Sequence, residues 1–152
     1  MLLNGAFTPL SGFMNQDEYD SVVEKMRLKS GRLWPIPITL DVDSDTASNW
    51  KVGEKVKLFQ GPTQFLAVLT IESIWKPDKK KEALQVFGSE DDVCHPSVRH
   101  LHNKTGEYYV GGSLIGFTLP PHLDFVEHRS QPSTFCLSLN LLINLKQTLL
   151  LN

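Results

Sequence analysis

Cysteine is scarce: Cys94 and Cys136 are the only two thiols in 152 residues, and they form no C-x-x-C spacing. Cys94 beside His95 lacks the further ligands of a zinc site, so neither a zinc-knit fold nor a disulfide scaffold is indicated. Isolated thiols suit a reducing interior, and a cytoplasmic location is expected. Long apolar runs are missing as well. No stretch reaches the roughly 18 apolar residues of a membrane-spanning helix, and "MLLNGAF" is too short and polar for a signal peptide. Charge of one sign is also absent. Fifteen basic against seventeen acidic residues leave a net charge of −2, so no bulk positive field draws nucleic acid or anionic membrane.

What is present suits one domain with a real core, since a chain of this length buries roughly two-thirds of its unfolded surface. In "NQDEYDSVVEKMRLKSG", Tyr19, Val22, Val23 and Met26 recur at i, i+3, i+4 and i+7, which predicts an amphipathic helix over about residues 16–28. Asn15 stands where a cap is needed, Glu18 completes the pattern of a capping box, and Gly31 marks the turn out. Ile36, Ile38, Leu40 and Val42 then alternate with Pro37, Thr39 and Asp41, the signature of a strand with one buried face, begun at a sheet edge by Pro35 and Pro37. "KVGEKVKLFQ", the turn "GPT" and the run "QFLAVLTIESIW" read as a β-hairpin. "KPDKKKEALQVFG" and "HPSVRHLHN" read as short helices, and "GEYYVGGSLIGFTLP" as a strand stopped by Pro120 and Pro121. Short strands with small helices between them predict an α+β domain on a compact, barrel-like sheet.

The segments "LLNGAFTPLSGFMNQDEYDSVVEKMRL", "LWPIPITLDV", "YYVGGSL", "KPDKKKEALQVFG", "HPSVRHLHN" and the "HLDF...R..P" of residues 122–132 together resemble one family. It is the ATP sulfurylases, or sulfate adenylyltransferases, and the resemblance runs from Leu2 to about Pro132. It implies an N-terminal domain of the PUA-like type, a small β-barrel with short helices in its connections, over residues 1–132. In that family a larger domain follows and joins ATP to sulfate, giving adenylyl sulfate and pyrophosphate; ATP and magnesium belong to the intact enzyme. The family holds its anions with Q-x-R-N-P, H-x-x-H and G-R-D segments. Arg27, Arg32, Arg99 and Arg129 lie in none of these, and no two of His95, His100, His102, His122 and His128 are three apart. The resemblance therefore carries no catalytic, cofactor-binding or metal residue onto this chain. It implies a non-catalytic domain whose partners are the catalytic domain or subunits of a full-length ATP sulfurylase.

Residues 133–152 depart from the family. "STFCLSLNLLINLKQTLLLN" is a Leu-rich tail with Lys146 as its one charge, and it mixes alternation (Phe135, Leu137, Leu139, Leu141) with helical spacing (Leu141, Leu142, Leu145, Leu149). It reads as an unrelated tail on a truncated domain, prone to self-association or to docking on the barrel. Within the domain, "FTPLSGF" gathers two aromatics and a leucine around Pro9 and Gly12, too apolar a loop to lie free in water. Phe7, Pro9, Leu10 and Phe13 are therefore the candidate docking residues.

Several sharper motifs yield to plainer readings. Lys79–Lys81 with Lys76 could face RNA, as a stand-alone binding module would require, but a solvated first helical turn explains them better. "YYVGGS" lacks the G-K-[ST] ending of a phosphate loop, so Gly111 and Gly112 are expected to permit a bend within a strand. His95, His100 and His102 suit surface or capping positions better than a metal site. Ser113 and Cys94 have no oriented base to make either a nucleophile.

Overall fold

The structure, a computed structural model, describes residues 1–90, 95–119 and 132. Its strands are β1 (Gly12–Phe13), β2 (Leu40–Val42), β3 (Lys55–Gln60), β4 (Gln64–Trp75) and β5 (Tyr108–Gly116). Its helices are α1 (Gln16–Lys25), α2 (Ser44–Asn49), α3 (Lys79–Phe87) and α4 (Pro96–Asn103), preceded by a 3-10 turn at Leu2–Asn4. All pairings are antiparallel. β3, β4 and β5 lie side by side, and the far edge of β5 is shared end to end by β2, opposite Tyr108–Val110, and β1, opposite Gly112–Ser113.

Among the described residues this path is open, with no pairing between β3 and the β1/β2 side, so the expected barrel is not closed, and one face of the sheet carries a core of its own. Leu69, Ile71 and Val110 are fully buried there, joined by Phe13 of β1, Leu40 and Val42 of β2, and Val56 and Leu58 of β3. All five strands thus contribute to one core. A second core lies on the opposite face under α1, α3 and α4, built from Met14, Tyr19, Val22, Val23, Leu28, Trp75, Ala83, Val98, Leu101 and Tyr109.

One residue lets β4 serve both cores. Side chains alternate faces along a strand, so Leu69, Ile71, Ser73 and Trp75 would all point the same way in a regular ladder. Ile71 pairs with Gly112 and Ser73 with Gly111, which leaves Glu72 as an extra, unpaired residue, a β-bulge. Past the bulge the phase reverses. Ile74 joins the sheet interior with Ile71, and Trp75 turns to the helices.

Gly111 and Gly112 face this bulge, and the expected bend is a point of close backbone approach. A Cβ on Gly111 would collide with the Met14 carbonyl, and one on Gly112 with that of Thr70. Backbone packs directly on backbone here, so no side chain fits.

The hairpin and three of the helices form where periodicity places them. The differences are local. α1 stops at Lys25 because Met26 adopts the left-handed conformation (φ 51°) and closes the helix on Val22 O, after which Trp34 N returns to Met26 O. Asn15 caps Glu18 N at 3.0 Å, but Glu18 does not complete the capping box: its carboxylate accepts from Lys29 N at 3.1 Å and ties down the following loop. The strand expected from Ile36 begins only at Leu40, since Pro35 and Pro37 bring no N–H to a ladder. β5 ends at Gly116, before the prolines, where Phe117 N and Thr118 N both turn onto Leu66 O.

Candidate docking surface

The N-terminal loop spends most of its apolar surface on its own domain. Phe7 meets Trp34 edge to face with ring centroids 6.1 Å apart, Leu10 packs on the helix-covered core, and Phe13 on the sheet interior. Pro9 remains exposed, and the Thr8–Pro9 bond is cis. The four candidate docking residues therefore do not form one outward patch: three are half-buried against two different cores. Any surface they offer a partner is their residual exposure around Pro9.

An outward apolar patch lies elsewhere, at the end of the β3–β4 hairpin. Phe65 is sandwiched between Phe59 (centroids 5.5 Å apart) and Phe117 (4.9 Å). Phe59 is 52% exposed, Ile115 58% and Phe117 63%. Thr118 Oγ1 donates to Phe65 O, which fixes the chain beyond β5 beside the hairpin. Beside the rings runs a groove of about 410 Å³ of mixed lining, in which Leu2, Leu3, Leu114 and Leu119 alternate with Ser11 and Thr118. Single exposed apolar side chains are ordinary, but a contiguous aromatic row marks an interaction surface. The sequence signalled it only weakly, because Phe59 and Phe117 sit in segments otherwise read as strand ends.

Under the helices a polar group is buried. Glu82, 6% exposed, accepts from Tyr19 Oη at 2.9 Å and from Tyr109 Oη at 3.1 Å, so one carboxylate joins α3 to α1 and β5. Trp75 completes an aromatic wall, 5.5 Å from Tyr19 and 5.9 Å from Tyr109 between centroids. Burial raises the Glu82 carboxyl above its ordinary value, opposed by the two phenol hydrogen bonds and by the charge of Lys79. Burial and the Glu82 carboxylate push both phenols well up, so both stay protonated donors. The Trp75 indole N–H is buried with no hydrogen-bond partner among the described residues. In sequence Glu82 looks like one more charge on a solvated helix, and nothing local betrays its partners.

The lysine run is engaged locally. Lys81 pairs with Glu24 at 2.7 Å, Lys76 with Glu107 at 3.3 Å, and Lys79 donates to Thr105 O at 3.0 Å, while Asp78 caps the turn they open. That is the solvated first turn expected, with most of its charge locally partnered. The Lys81 hydrogen bond holds the Glu24 carboxyl below its usual range, and Lys76 does the same for Glu107. His95 is the cap of α4, its Nδ1 accepting from Ser97 N at 3.2 Å, and His100 and His102 lie in that helix's last turn. Ser113 pairs with Thr70 in the β5–β4 ladder. Cys94, Cys136, His122, His128, Arg129 and the tail 133–152 lie outside the described residues. Among the described residues no three His, Cys, Asp or Glu side chains gather as a metal site, and no helix is long and apolar enough to cross a membrane.

A family model described as a PUA-like domain matches residues 1–118. The chain belongs to the PUA-like domain family. Relatives of this PUA-like domain are long proteins. The sulfate adenylyltransferase of Candida albicans is 46% identical over 142 residues, covering 88% of this chain and 27% of that protein. The Saccharomyces cerevisiae sulfate adenylyltransferase is 44% identical over 133 residues, with 88% and 26% covered. The chain thus spans about a quarter of the length of the curated relatives it matches. Among solved structures, a hexameric APS kinase from Thiobacillus denitrificans superposes with a TM-score of 0.62 at 30% identity, covering 88% of this chain and 22% of that one.

Proposed function

We infer that this PUA-like domain is the non-catalytic N-terminal module of a sulfate adenylyltransferase, a cytoplasmic enzyme of sulfate assimilation. Its work is to pack against the catalytic part and to help subunits assemble. The observation that carries this reading is the aromatic row Phe59–Phe65–Phe117 with its neighbouring groove, three rings in contact with one another at the surface. It lies where the chain leaves β5, which is where a following domain would meet this one.

ATP and magnesium are then ligands of the intact enzyme and have no dedicated residues in this domain. Joining two anions requires converging cations, and Lys76, Lys79 and Lys81 are each engaged with local acceptors instead. Incubating the chain with ATP, sulfate and magnesium and following pyrophosphate release tests the catalytic half of this reading. No turnover above the blank is expected, and turnover abolished by heat-denaturing the chain overturns it. Titration with a sulfate adenylyltransferase lacking this region tests the other half, with a complex lost on Phe117→Ser as the expected result.

A further inference from the structure

Of the seven asparagines in the chain, Asn4 alone is followed by glycine. Glycine is the successor that leaves an asparagine side chain most open to attack by its own backbone, because no Cβ shields the next nitrogen. The fold treats its asparagine side chains differently. Asn15 Oδ1 accepts from Glu18 N at 3.0 Å as a helix cap, and Asn49 donates through Nδ2 to Asp45 O at 2.9 Å. Asn4 Oδ1 instead accepts from Ala6 N at 3.1 Å, two residues on, an Asx turn whose hydrogen-bonded ring encloses the Gly5 nitrogen. If that nitrogen adds to Asn4 Cγ, negative charge gathers on Oδ1, and an N–H already aimed at that oxygen stabilises it. Gly5 is left-handed (φ 80°), and both residues are half-buried, so water and base reach the turn.

We propose that Asn4–Gly5 is a site of spontaneous backbone modification, where Asn4 becomes isoaspartate and the N-terminal turn is thereby unlocked from β5. The Gly5 N–Cγ bond forms as the Cγ–Nδ2 bond breaks, and the Gly5 amide proton leaves with Nδ2 as ammonia, giving a five-membered succinimide. Water opens that ring on either side, leaving the main chain to run through Cγ as isoaspartate or through the original carbonyl as aspartate. The sum consumes a water, releases an ammonium ion and adds a carboxylate. Isoaspartate also lengthens the main chain by a methylene, and the turn has no slack for it. Ala6 N bonds Met1 O at 3.2 Å, while Thr8 N and Thr8 Oγ1 both bond Gly5 O, at 3.2 and 2.8 Å. Leu3 lies so close over Gly116 that a Cβ there would meet its Cδ2 at 2.9 Å. The added atom breaks these short bonds and lifts Leu3 from β5. The inference concerns the chemistry of one peptide link and does not depend on the enzymatic affiliation of the domain.

The test incubates the full chain, folded and in urea, at neutral and at mildly alkaline pH. Protein isoaspartyl methyltransferase measures the isoaspartate, and electron-transfer fragmentation of tryptic peptides places it. Expected in the folded chain is isoaspartate at Asn4 about tenfold or more above that at Asn15, Asn49 and Asn103, rising with pH because the attacking amide must lose its proton, and in yield comparable to that in urea. Isoaspartate that appears only in urea, or that is spread evenly over the asparagines, overturns the proposal. The aged chain, separated by ion exchange on its extra negative charge, should then exchange the Ala6 and Thr8 amide hydrogens about tenfold faster than the fresh chain, with Ile71 and Val110 unchanged. Fresh Asn4→Asp supplies the charge without the methylene and should keep the protection of the unmodified chain. Equal loosening in that variant, or full protection in the aged chain, refutes the unlocking.

Discussion

The two ends of β4 meet opposite fates. At its C-terminal end Trp75 lies under α1 and α3 in a wall of aromatics around a buried carboxylate, while at its N-terminal end Phe65 sits in an aromatic row open to solvent. The same strand, with the same β-propensity, makes both. The difference is what the connections supply. Between β4 and β5 the chain inserts two helices that cover one end, whereas β3 and β4 are joined by a three-residue turn that covers nothing. An apolar end left bare by its own connections is a surface awaiting another element, and the covered end shows what such closure achieves.

The sharpest way to break this comparison is to empty one side chain at each end. Leu101→Ala on α4 should cost about 2–5 kcal/mol, because the side chain is buried in the helix-covered core and its loss leaves a cavity there. Chemical denaturation measures it, and a cost below that of an exposed substitution would mean that the helices are only loosely seated. Next comes Gly111→Ala, expected to cost about 2–3 kcal/mol because the added Cβ meets the Met14 backbone rather than a side chain that can yield.

Tyr19→Phe should cost about 1–2 kcal/mol by leaving Glu82 with one phenol donor instead of two. Glu82→Gln sharpens the electrostatics of the same end. A carboxyl whose folded value is raised contributes its stability below the ordinary value of 4.5 and loses it as pH rises toward the raised value. Wild-type stability minus that of the Gln variant should therefore be highest below that pH and decline above it; a difference that rises with pH contradicts the burial argument. The smallest effect belongs to the open end. Phe59→Ser should cost less than about 1 kcal/mol, and a core-sized loss would show that the row is structural rather than a docking surface.

How much of this was legible in the sequence follows the length of each pattern. The 55–75 hairpin, α1, α3 and α4 each repeat their period at least twice and are readable from it. β1 has two residues and α2 six, too few for a period to emerge, and both owe their form to β5 and to the Asp43 cap. The bulge at Glu72 is invisible because "LTIESIW" reads as plain alternation, and only the pairing with two crowded glycines reveals the change of phase. The family resemblance led to the domain type, but it could not place the docking surface. "FTPLSGF" drew attention by its composition, and the structure divides it between two cores. The row that stays open joins Phe59 and Phe65, partners across the β3–β4 hairpin, to Phe117, which is distant in sequence and reaches them only once β5 has paired.

The end-to-end sharing of β5's edge bears on synthesis. Gly12 leaves the ribosome early but pairs with Ser113, so the first strand has no partner until about a hundred further residues have been translated. At ordinary elongation rates that wait is roughly 5–20 s. Until then Gly12 and Phe13 of the nascent chain lack their ladder partners. Arrest-peptide force profiling over chain lengths on either side of residue 113 should locate the moment at which that wait ends.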